Sequence, residues 1–553
     1  MPRPVVRPLP ELTDDNRFFW TSGEDGILRF QRCAACHDLR HPPSPVCPSC
    51  GSTEWAPSAV SGRGVVAGYT VNEHTWLPSF PPPYVVAIVA LDEDDRVRLT
   101  TNIIGCDPGD VSVGMRVQVV FERQDDVWLP LFEPTGETEP GPLPTEDPRA
   151  HQARPMPRAG DKFEDRVAIT GIGTSRVGRR LMQHPLALAV AASRAAIADA
   201  GLQPDDIDGL CTYPGSGIGH GMSEGGVTAL EEMLRLRPSW INSGMETPGQ
   251  TGSVIAAMLA VAGGLCKHVL CFRTVWEATL AAQTRMAPTS AAGPATRVAG
   301  DMQWRFPFGA TSAANWIAMN ASQHFHRYGT TRETLGWLAL NARANAALNP
   351  AAIYRDPLTM DDYLSARMIT WPFGLYDCDV PIDGSVAIIV SRKDVASDLA
   401  QPPVYVEAVG TQVTERMSWD QGVLEHEPLT SGPGAHLWTR TDLGPSDVDV
   451  AELYDGFSFL TMCWLEAMGF CGRGESGPFI EGGSRIALEG ELPINTNGGQ
   501  LSAGRLHGFG FVHEACVQLR GEGGERQVPK DVHVVAVGNG GGPVAGCMLL
   551  TRD

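Results

Sequence analysis

Four segments in the first quarter of the chain alternate β-branched or apolar residues with polar ones. They are GRGVVAGYTVNE (62–73), YVVAIVALDED (84–94), RVRLTTNII (96–104) and VGMRVQVVFERQDDVWLPLFEP (113–134). Turn residues bound each of them, so they read as short strands, and so many within one small region predict a β-barrel of the OB-fold type. A helical-looking stretch, FFWTSGEDG at 18–26, precedes them. Further on, the period changes. RVAITGIGTS (166–175) opens as a strand, and HPLALAVAASRAAIADAGL (184–202) follows with helical apolar spacing and a stop at Gly201. GSVIAAMLAVAGGLCKHVLCFRT (252–274) repeats helix, glycines and strand, and DGSVAIIVS (383–391) is a further buried-strand run. The alternation restarts at PVYVEAVG (403–410), passes through VDVAELYDGFSF (448–459) and closes with VHVVAVGNGGGPVAGCMLLTR (532–552). Two stretches of the same βαβ character predict an internal duplication with a layered α/β architecture.

Between the barrel region and the α/β region, residues 136–162 are crowded with Pro, Gly and charge. That composition cannot offset its ordering entropy by burial and reads as an extended linker. The expected organisation is therefore 1–135, a linker at 136–162, and 163–553 with halves of about 163–400 and 401–553. A chain of 553 residues is too long for a single core. Its net charge of −21 argues against nucleic acid or an anionic membrane as a partner. No stretch reaches 18 apolar residues without charge, and MPRPVVRPLPELTDD holds no apolar core of the secretory kind. Nine of the thirteen cysteines are scattered, as expected of free thiols in a reducing compartment. The expected location is the cytoplasm.

The other four cysteines cluster. Cys33 and Cys36 form one CxxC pair, Cys47 and Cys50 a second, ten residues apart. Two such knuckles supply four thiolates for a tetrahedral Zn²⁺ with bonds of about 2.3 Å. Four protein ligands leave no open position, so the metal is structural, and His37 beside the second ligand is surplus to the count.

These residues carry a resemblance. QRCAACHDLRHPPSPVCPSCGS, the strands after it and NIIGCDPGDVSVGMRVQVVFE resemble the acyl-CoA-associated zinc-ribbon/OB-fold family over residues 16–135. Members of that family accompany thiolase-like proteins. From about Arg166 the chain is similar to the thiolase superfamily, nearest its sterol-carrier and lipid-transfer branch, through AITGIGTS, AIADAGLQPDDIDGL, QTGSVIAAMLAVAGG, DGSVAIIV, ELYDGFSFL, NTNGGQLSAGRLHGFGFVHEA and GNGGGPVAG. The implied fold is a thiolase fold of duplicated α-β-α-β-α halves behind a rubredoxin-like ribbon and a small OB barrel. The resemblance also implies a homodimer.

The same resemblance exposes a loss. The place of the thiolase nucleophile falls on Gly249, and that of the second catalytic cysteine on Gly538 or, with a one-residue shift, Asn539. Cys547 lies on a strand pattern and reads as core. The family's Asn-Glu-Ala-Phe-type box falls on Tyr454-Asp455-Gly456-Phe457, and its histidine on Arg505 or, displaced, His507. A tyrosine at the first box position resembles the thiolase-fold aldolases of sterol side-chain breakdown. The implied activity is an acyl-CoA lyase of aldolase type that breaks or makes a C–C bond beside a CoA thioester without an acyl-enzyme. A cysteine-independent C-acyltransferase and a non-catalytic acyl-CoA or lipid carrier are the rival readings. The expected catalytic residues are Tyr454, His507, Asp455 and Arg505, because a retro-aldol step needs a base for the hydroxyl and donors for the enolate.

Other features read more plainly. TGIGTSRVG lacks dinucleotide-loop spacing. His324, His326 and Arg327 are expected at the surface. HTWLPSFPPPYVV, with His74, Trp76, Phe80 and Tyr84, reads either as a substrate-channel loop or as a loop packed on the second domain.

Overall fold

The computed structural model describes residues 5–145, 161–214, 221–244, 248–286, 297–414, 416, 418–422, 424, 431–541 and 544–552. Of the expected linker, 146–160 lie outside the described residues. The ribbon is a three-stranded antiparallel sheet of β1 (Arg29–Cys33), β2 (Leu39–Arg40) and β3 (Trp55–Ala59) in the order β2-β1-β3. The barrel follows with β4 (Arg63–Asn72), β5 (Tyr84–Leu91), β6 (Arg98–Ile103), β7 (Arg116–Gln124) and β8 (Val127–Pro134). Its order β4-β5-β6-β8-β7, closed by pairing of β7 with β4, is that of an OB barrel.

The apolar run of β5 has two destinations. Val85, Ala87, Val89 and Leu91 fill the barrel interior, whereas Val86, Ile88 and Ala90 join a second cluster with Trp316 and Met319 of the helix Ala313–Tyr328. A strand buried on both faces loses its alternation, which is why this segment reads as continuous hydrophobicity. The helix comes so close to β4 that a Cβ on Gly68 would lie 2.4 Å from the Met319 carbonyl oxygen. His324 on this helix corrects the expectation of a surface pair. It is buried, with Nδ1 2.7 Å from Thr330 Oγ1 and Nε2 3.1 Å from Glu466 Oε1, while His326 and Arg327 are exposed.

Two short strands from far along the chain, β13 (Met368–Thr370) and β14 (Phe373–Gly374), extend the barrel sheet by pairing Thr370 with Asn72. Trp304 likewise stacks on Trp20 at 5.0 Å inside the core shared by ribbon and barrel. The two units interlock through these insertions.

The α/β region is one mixed nine-stranded sheet. Its strands are β9 (Val167–Thr174), β10 (Gly209–Thr212), β11 (Trp240–Ser243), β12 (His268–Trp276), β15 (Asp383–Arg392), β16 (Val404–Gly410), β17 (Val450–Leu453), β18 (Val534–Gly541) and β19 (Val544–Thr551). They run in the order β11-β10-β12-β15-β9-β16-β19-β18-β17. Read outward from the β9–β16 junction, the two halves match. In each, the first strand pairs antiparallel with the last, the last antiparallel with its predecessor, and that predecessor parallel with the half's second strand. This topology is the duplication predicted from pattern alone. The helices Gly252–Ala262 and Phe509–Arg520 enter β12 and β18 at equivalent places, and both are largely buried against the sheet.

Candidate active site and metal centre

The ribbon knuckles bring the four predicted ligands together. Cys33 Sγ lies 3.6 Å from Cys50 Sγ, Cys36 Sγ 3.6 Å from Cys47 Sγ, and all four sulfurs are within 4.8 Å of one another. A tetrahedron with bonds of about 2.3 Å has edges near 3.8 Å, so the donors fit zinc in number, type and spacing. All four positions are taken by thiolates, which makes the site structural.

The second site is a cavity of about 660 Å³ in which the barrel meets the α/β sheet. Tyr454 enters it directly after β17, where its N–H still donates to Gly538 O at 2.8 Å. The phenol ring lies on the backbone of Gly456, where a Cβ would be 2.6 Å from a ring carbon, so only glycine fits there. Across the cavity wall its ring meets His507 edge to face at 6.3 Å.

His507 sits between Gly504 and Gly508 and itself takes a positive φ of 53°. Such backbone is uncommon for a residue with a side chain and is held by its surroundings. Tyr213 Oη donates to the His507 carbonyl at 2.6 Å, and Arg273 Nη2 stands 3.0 Å from Nδ1. A guanidinium can only donate, so Nδ1 accepts and the neutral ring carries its proton on Nε2. Burial, then Arg505 and Arg273, hold the imidazole well below its usual pKa. His507 is therefore a neutral N–H donor at neutral pH.

Arg505 lies nearer the mouth. Its Nη1 is 3.2 Å from both oxygens of Glu277, and its Nε is 3.0 Å from Asp379 Oδ2. Asp379 also lines the cavity, and its N–H donates to Gly456 O at 3.1 Å. Burial pushes its carboxyl up to about 6, against the pull of Arg505 and with a further push from Glu277. Of the two positions considered for the thiolase histidine, His507 is the buried neighbour of Tyr454, and Arg505 is engaged by two carboxylates.

Asp455 stands apart from the cavity. Its carboxylate accepts from the N–H of Gln500 at 2.8 Å and of Leu501 at 3.5 Å, and burial pushes it up to about 7. Gln500 Oε1 in turn accepts the His507 N–H at 3.1 Å. Asp455 thus anchors the turn that holds His507.

Of the places that the resemblance gives the nucleophiles, Gly249 and Gly538 have no room for a side chain, while Asn539, the alternative to Gly538, carries a buried carboxamide. Gly249 has φ +64°, and a Cβ there would lie 2.7 Å from Asn539 O and 2.8 Å from Gly546 N. A Cβ on Gly538 would lie 2.7 Å from the Trp464 indole. Cys547 is fully buried, as expected of a core residue. Cys378 does line the cavity, but burial together with Asp377 and Asp379 pushes its thiol well up, so it is not a thiolate at neutral pH.

The barrel contributes His74 and Trp76 to this cavity, from the loop that follows β4. Trp76 is fixed by its indole N–H, which donates to Asn72 Oδ1 at 2.8 Å. Phe80 and Tyr84 lie elsewhere: Phe80 under the Arg7 guanidinium, and Tyr84 donating to Gly309 O at 2.9 Å. Tyr213, Arg273 and Asp379 escaped the sequence reading. They come from or follow separate strands, and no local motif connects them.

Comparison with known proteins agrees with this geometry. Residues 20–56 match the family described as the ChsH2 rubredoxin-like zinc ribbon domain, 58–122 the ChsH2 C-terminal OB-fold domain, and 427–551 the thiolase C-terminal domain-like family. A steroid side-chain-cleaving aldolase of Thermomonospora curvata is 35% identical, the match covering 70% of this chain and 98% of that one. The 17-hydroxy-3-oxo-4-pregnene-20-carboxyl-CoA lyase of Mycobacterium tuberculosis is 33% identical over 69% of this chain and 98% of its own. Among solved structures, an Ltp2-ChsH2(DUF35) aldolase superposes with a TM-score of 0.61 and 31% identity, covering 70% of this chain and 97% of that one. The chain belongs to the family of thiolase-fold aldolases that these relatives represent, with a ChsH2-type zinc ribbon and OB-fold carried on the same polypeptide.

Proposed function

We propose that this protein is an acyl-CoA lyase of the aldolase type whose substrate is the CoA ester of a steroid side chain hydroxylated β to the thioester. One observation carries the reading. The cavity keeps Tyr454 and a neutral His507, while no cysteine stands at Gly249 or at Gly538 and Asn539, the places that the resemblance gives the two nucleophiles. Charge-stabilising donors remain, and covalent catalysis by cysteine is gone.

The retro-aldol step is balanced without cofactors. The β-hydroxyl loses its proton, the Cα–Cβ bond breaks, and its electron pair passes to the thioester as an enolate that is then protonated at Cα. No net proton is taken up: the Tyr454 oxygen, as phenolate, takes the hydroxyl proton as the Cα–Cβ bond breaks and returns it to the enolate carbon, so the residue ends as it began. His507 Nε2–H donates to the thioester oxygen as charge develops there. Arg273 fixes that tautomer. Asp455 positions His507 through Gln500, and Arg505, neutralised by Glu277 and Asp379, sets the polarity of the mouth. The walls around Ile317, Ile369, Leu460 and Trp76 are apolar, and the cavity lies within the roughly 300–1,000 Å³ of small-molecule sites. Both suit a ring system.

A 17-hydroxy steroid with a 20-carboxyl-CoA has its hydroxyl β to the thioester, so cleavage yields a 17-ketone and propionyl-CoA. Incubation of the purified chain with such an ester should release both. Acyl exchange alone would favour a C-acyltransferase, and tight binding without turnover a carrier. Tyr454→Phe should lower kcat by about 10²-fold or more without lowering Tm.

Two finer points belong to the same reading. The chain forms a homodimer through the β11 end of the sheet, where Ile241 on the strand and Leu259 on the nearby helix are each about half exposed. Sedimentation should return twice the chain mass. The thirteen cysteines, none in a disulfide, suit the cytoplasm. No helix among the described residues is long and apolar enough to cross a membrane.

A further inference from the structure

The loop that leaves β9 carries three arginines, Arg176, Arg179 and Arg180, and all three are exposed. Exposed arginines elsewhere on this acidic chain, such as Arg96 and Arg392, each hold a neighbouring aspartate at 2.6 Å. The side chains of Arg176 and Arg180 have no carboxylate partner among the described residues. Arg179 has no carboxylate partner there either, and donates from Nη1 to Tyr354 Oη at 2.8 Å. Three guanidinium groups within five residues repel one another, and an anionic ligand relieves that repulsion.

The fold fixes this loop and sets it at the cavity. Gly178 and Asp383 exchange backbone hydrogen bonds of 3.1 and 2.8 Å. The Asp383 carboxylate accepts from the Leu181 N–H at 2.6 Å, and Thr279 Oγ1 accepts from the Met182 N–H at 3.0 Å. Arg180 and Met182 are both held at positive φ, 57° and 54°. Residues with side chains adopt such backbone at a cost, so the anchors at Asp383 and Thr279 impose it. Val177 packs on the same apolar cluster as Tyr354 and Leu506, the residue between Arg505 and His507. Arg179 and Tyr354 line the cavity that holds Tyr454. The arginines therefore stand where that cavity opens to solvent. A guanidinium offers two parallel donors that match a phosphate. An acyl-CoA carries its thioester at one end of a neutral pantetheine arm and its phosphates at the other, which suits an apolar cavity with a basic opening.

We propose that Arg176, Arg179 and Arg180 hold the phosphate groups of the CoA moiety at the mouth of the cavity. The inference rests on the reading that the ligand is an acyl-CoA, and not on which bond is cleaved. Arg179, tied to Tyr354, marks where the pantetheine arm passes out of the cavity, and Arg176 and Arg180 meet the phosphates beyond it. The loop also gives a chain of net charge −21 a local positive field for a polyanionic substrate.

The test uses the full-length protein and two double variants, Arg176→Ala/Arg180→Asn and Arg176→Lys/Arg180→Lys; asparagine tolerates positive φ. In calorimetry at low salt, the neutral variant should bind free CoA about 4–25-fold more weakly than the parent, and the lysine variant should lose less. Pantetheine, which lacks the phosphates, should bind parent and variants alike. Added salt should weaken CoA binding more steeply in the parent than in the neutral variant. With the steroid ester, the loss should lie in KM. Parent-like CoA affinity in the neutral variant would overturn the proposal. So would equal weakening of CoA and pantetheine, which would make the arginines structural. Adenosine 3′,5′-bisphosphate should displace CoA from the parent; binding beside CoA without displacing it would assign the loop to free nucleotides and sink the idea. If CoA binding weakens as expected but no C–C cleavage occurs, the aldolase reading fails and the phosphate site stands. Cleavage together with parent-like CoA binding in the neutral variant keeps the aldolase reading and removes the site.

Discussion

His507 combines a positive φ, two partners that fix its ring and backbone, and burial that keeps it uncharged. Each of these opposes the behaviour of a free histidine, and together they make a donor whose state does not change across neutral pH. The carboxyl that anchors its turn behaves differently. Asp455 has its folded pKa raised by burial to about 7 from an ordinary 3.8. The native state then holds the proton more tightly than the unfolded chain, so stability is greatest below pH 4 for this group and declines as pH rises through 7. The slope is about 1.4 kcal/mol per pH unit at most. Asp455→Asn should remove this contribution, and urea unfolding at pH 5 and pH 8 should show a smaller difference in the variant than in the parent. Gly249 makes the opposite point about restoring chemistry. Gly249→Cys would place a Cβ against backbone atoms at positive φ. It should cost about 1–3 kcal/mol of stability and leave no acyl adduct visible by intact-protein mass spectrometry during turnover.

Strands and helices carry the site through close approach. The helix Ala313–Tyr328 packs on β4 at Gly68 and supplies Ala313, Ala314 and Ile317 to the cavity wall. Gly68→Ala must push its Cβ away from a backbone carbonyl that cannot rotate aside. Chemical denaturation should report a loss of about 1–3 kcal/mol, and KM for a bulky acyl-CoA should rise because the same helix shapes the cavity. The loop after β4 works from the barrel side. Trp76 is pinned to Asn72, and the pairing of Asn72 with Thr370 ties that loop to a strand of the α/β region. His74 and Trp76 line the cavity, while Phe80 and Tyr84 pack away from it.

For the molecule as a whole, the metal, the barrel and the cavity form one continuous packing. The ribbon holds Phe30 and His41 against Phe19; Trp20 stacks on Trp304 from the α/β region, and His41 meets the same indole edge to face. A four-thiolate zinc site contributes its binding energy to folding. Metal analysis should return one zinc per chain, and stripping it with a chelator should lower Tm and reduce kcat/KM through the barrel loop. The sheet shows the same economy: the two halves share a strand order and join at β9 and β16, so a single core supports both.

What the amino-acid sequence determined by itself were the features that depend on near neighbours. CxxC spacing assembles one knuckle at a time, strand and helix periods report which face each segment buries, and a glycine in place of a nucleophile is visible wherever the flanking motif is. The tertiary structure alone decided the pairings between distant residues. His324 looked like a surface residue because its partners, Thr330 and Glu466, cannot be read from its own helix. The strands at 368–374 belong to the barrel because Thr370 meets Asn72 across three hundred positions of chain. Tyr213, Arg273 and Asp379 became site residues only when separate elements brought them beside Tyr454 and His507. Hydrophobic periodicity is a property of one segment, whereas satisfying a buried polar group is a property of two, and only the folded chain specifies the second.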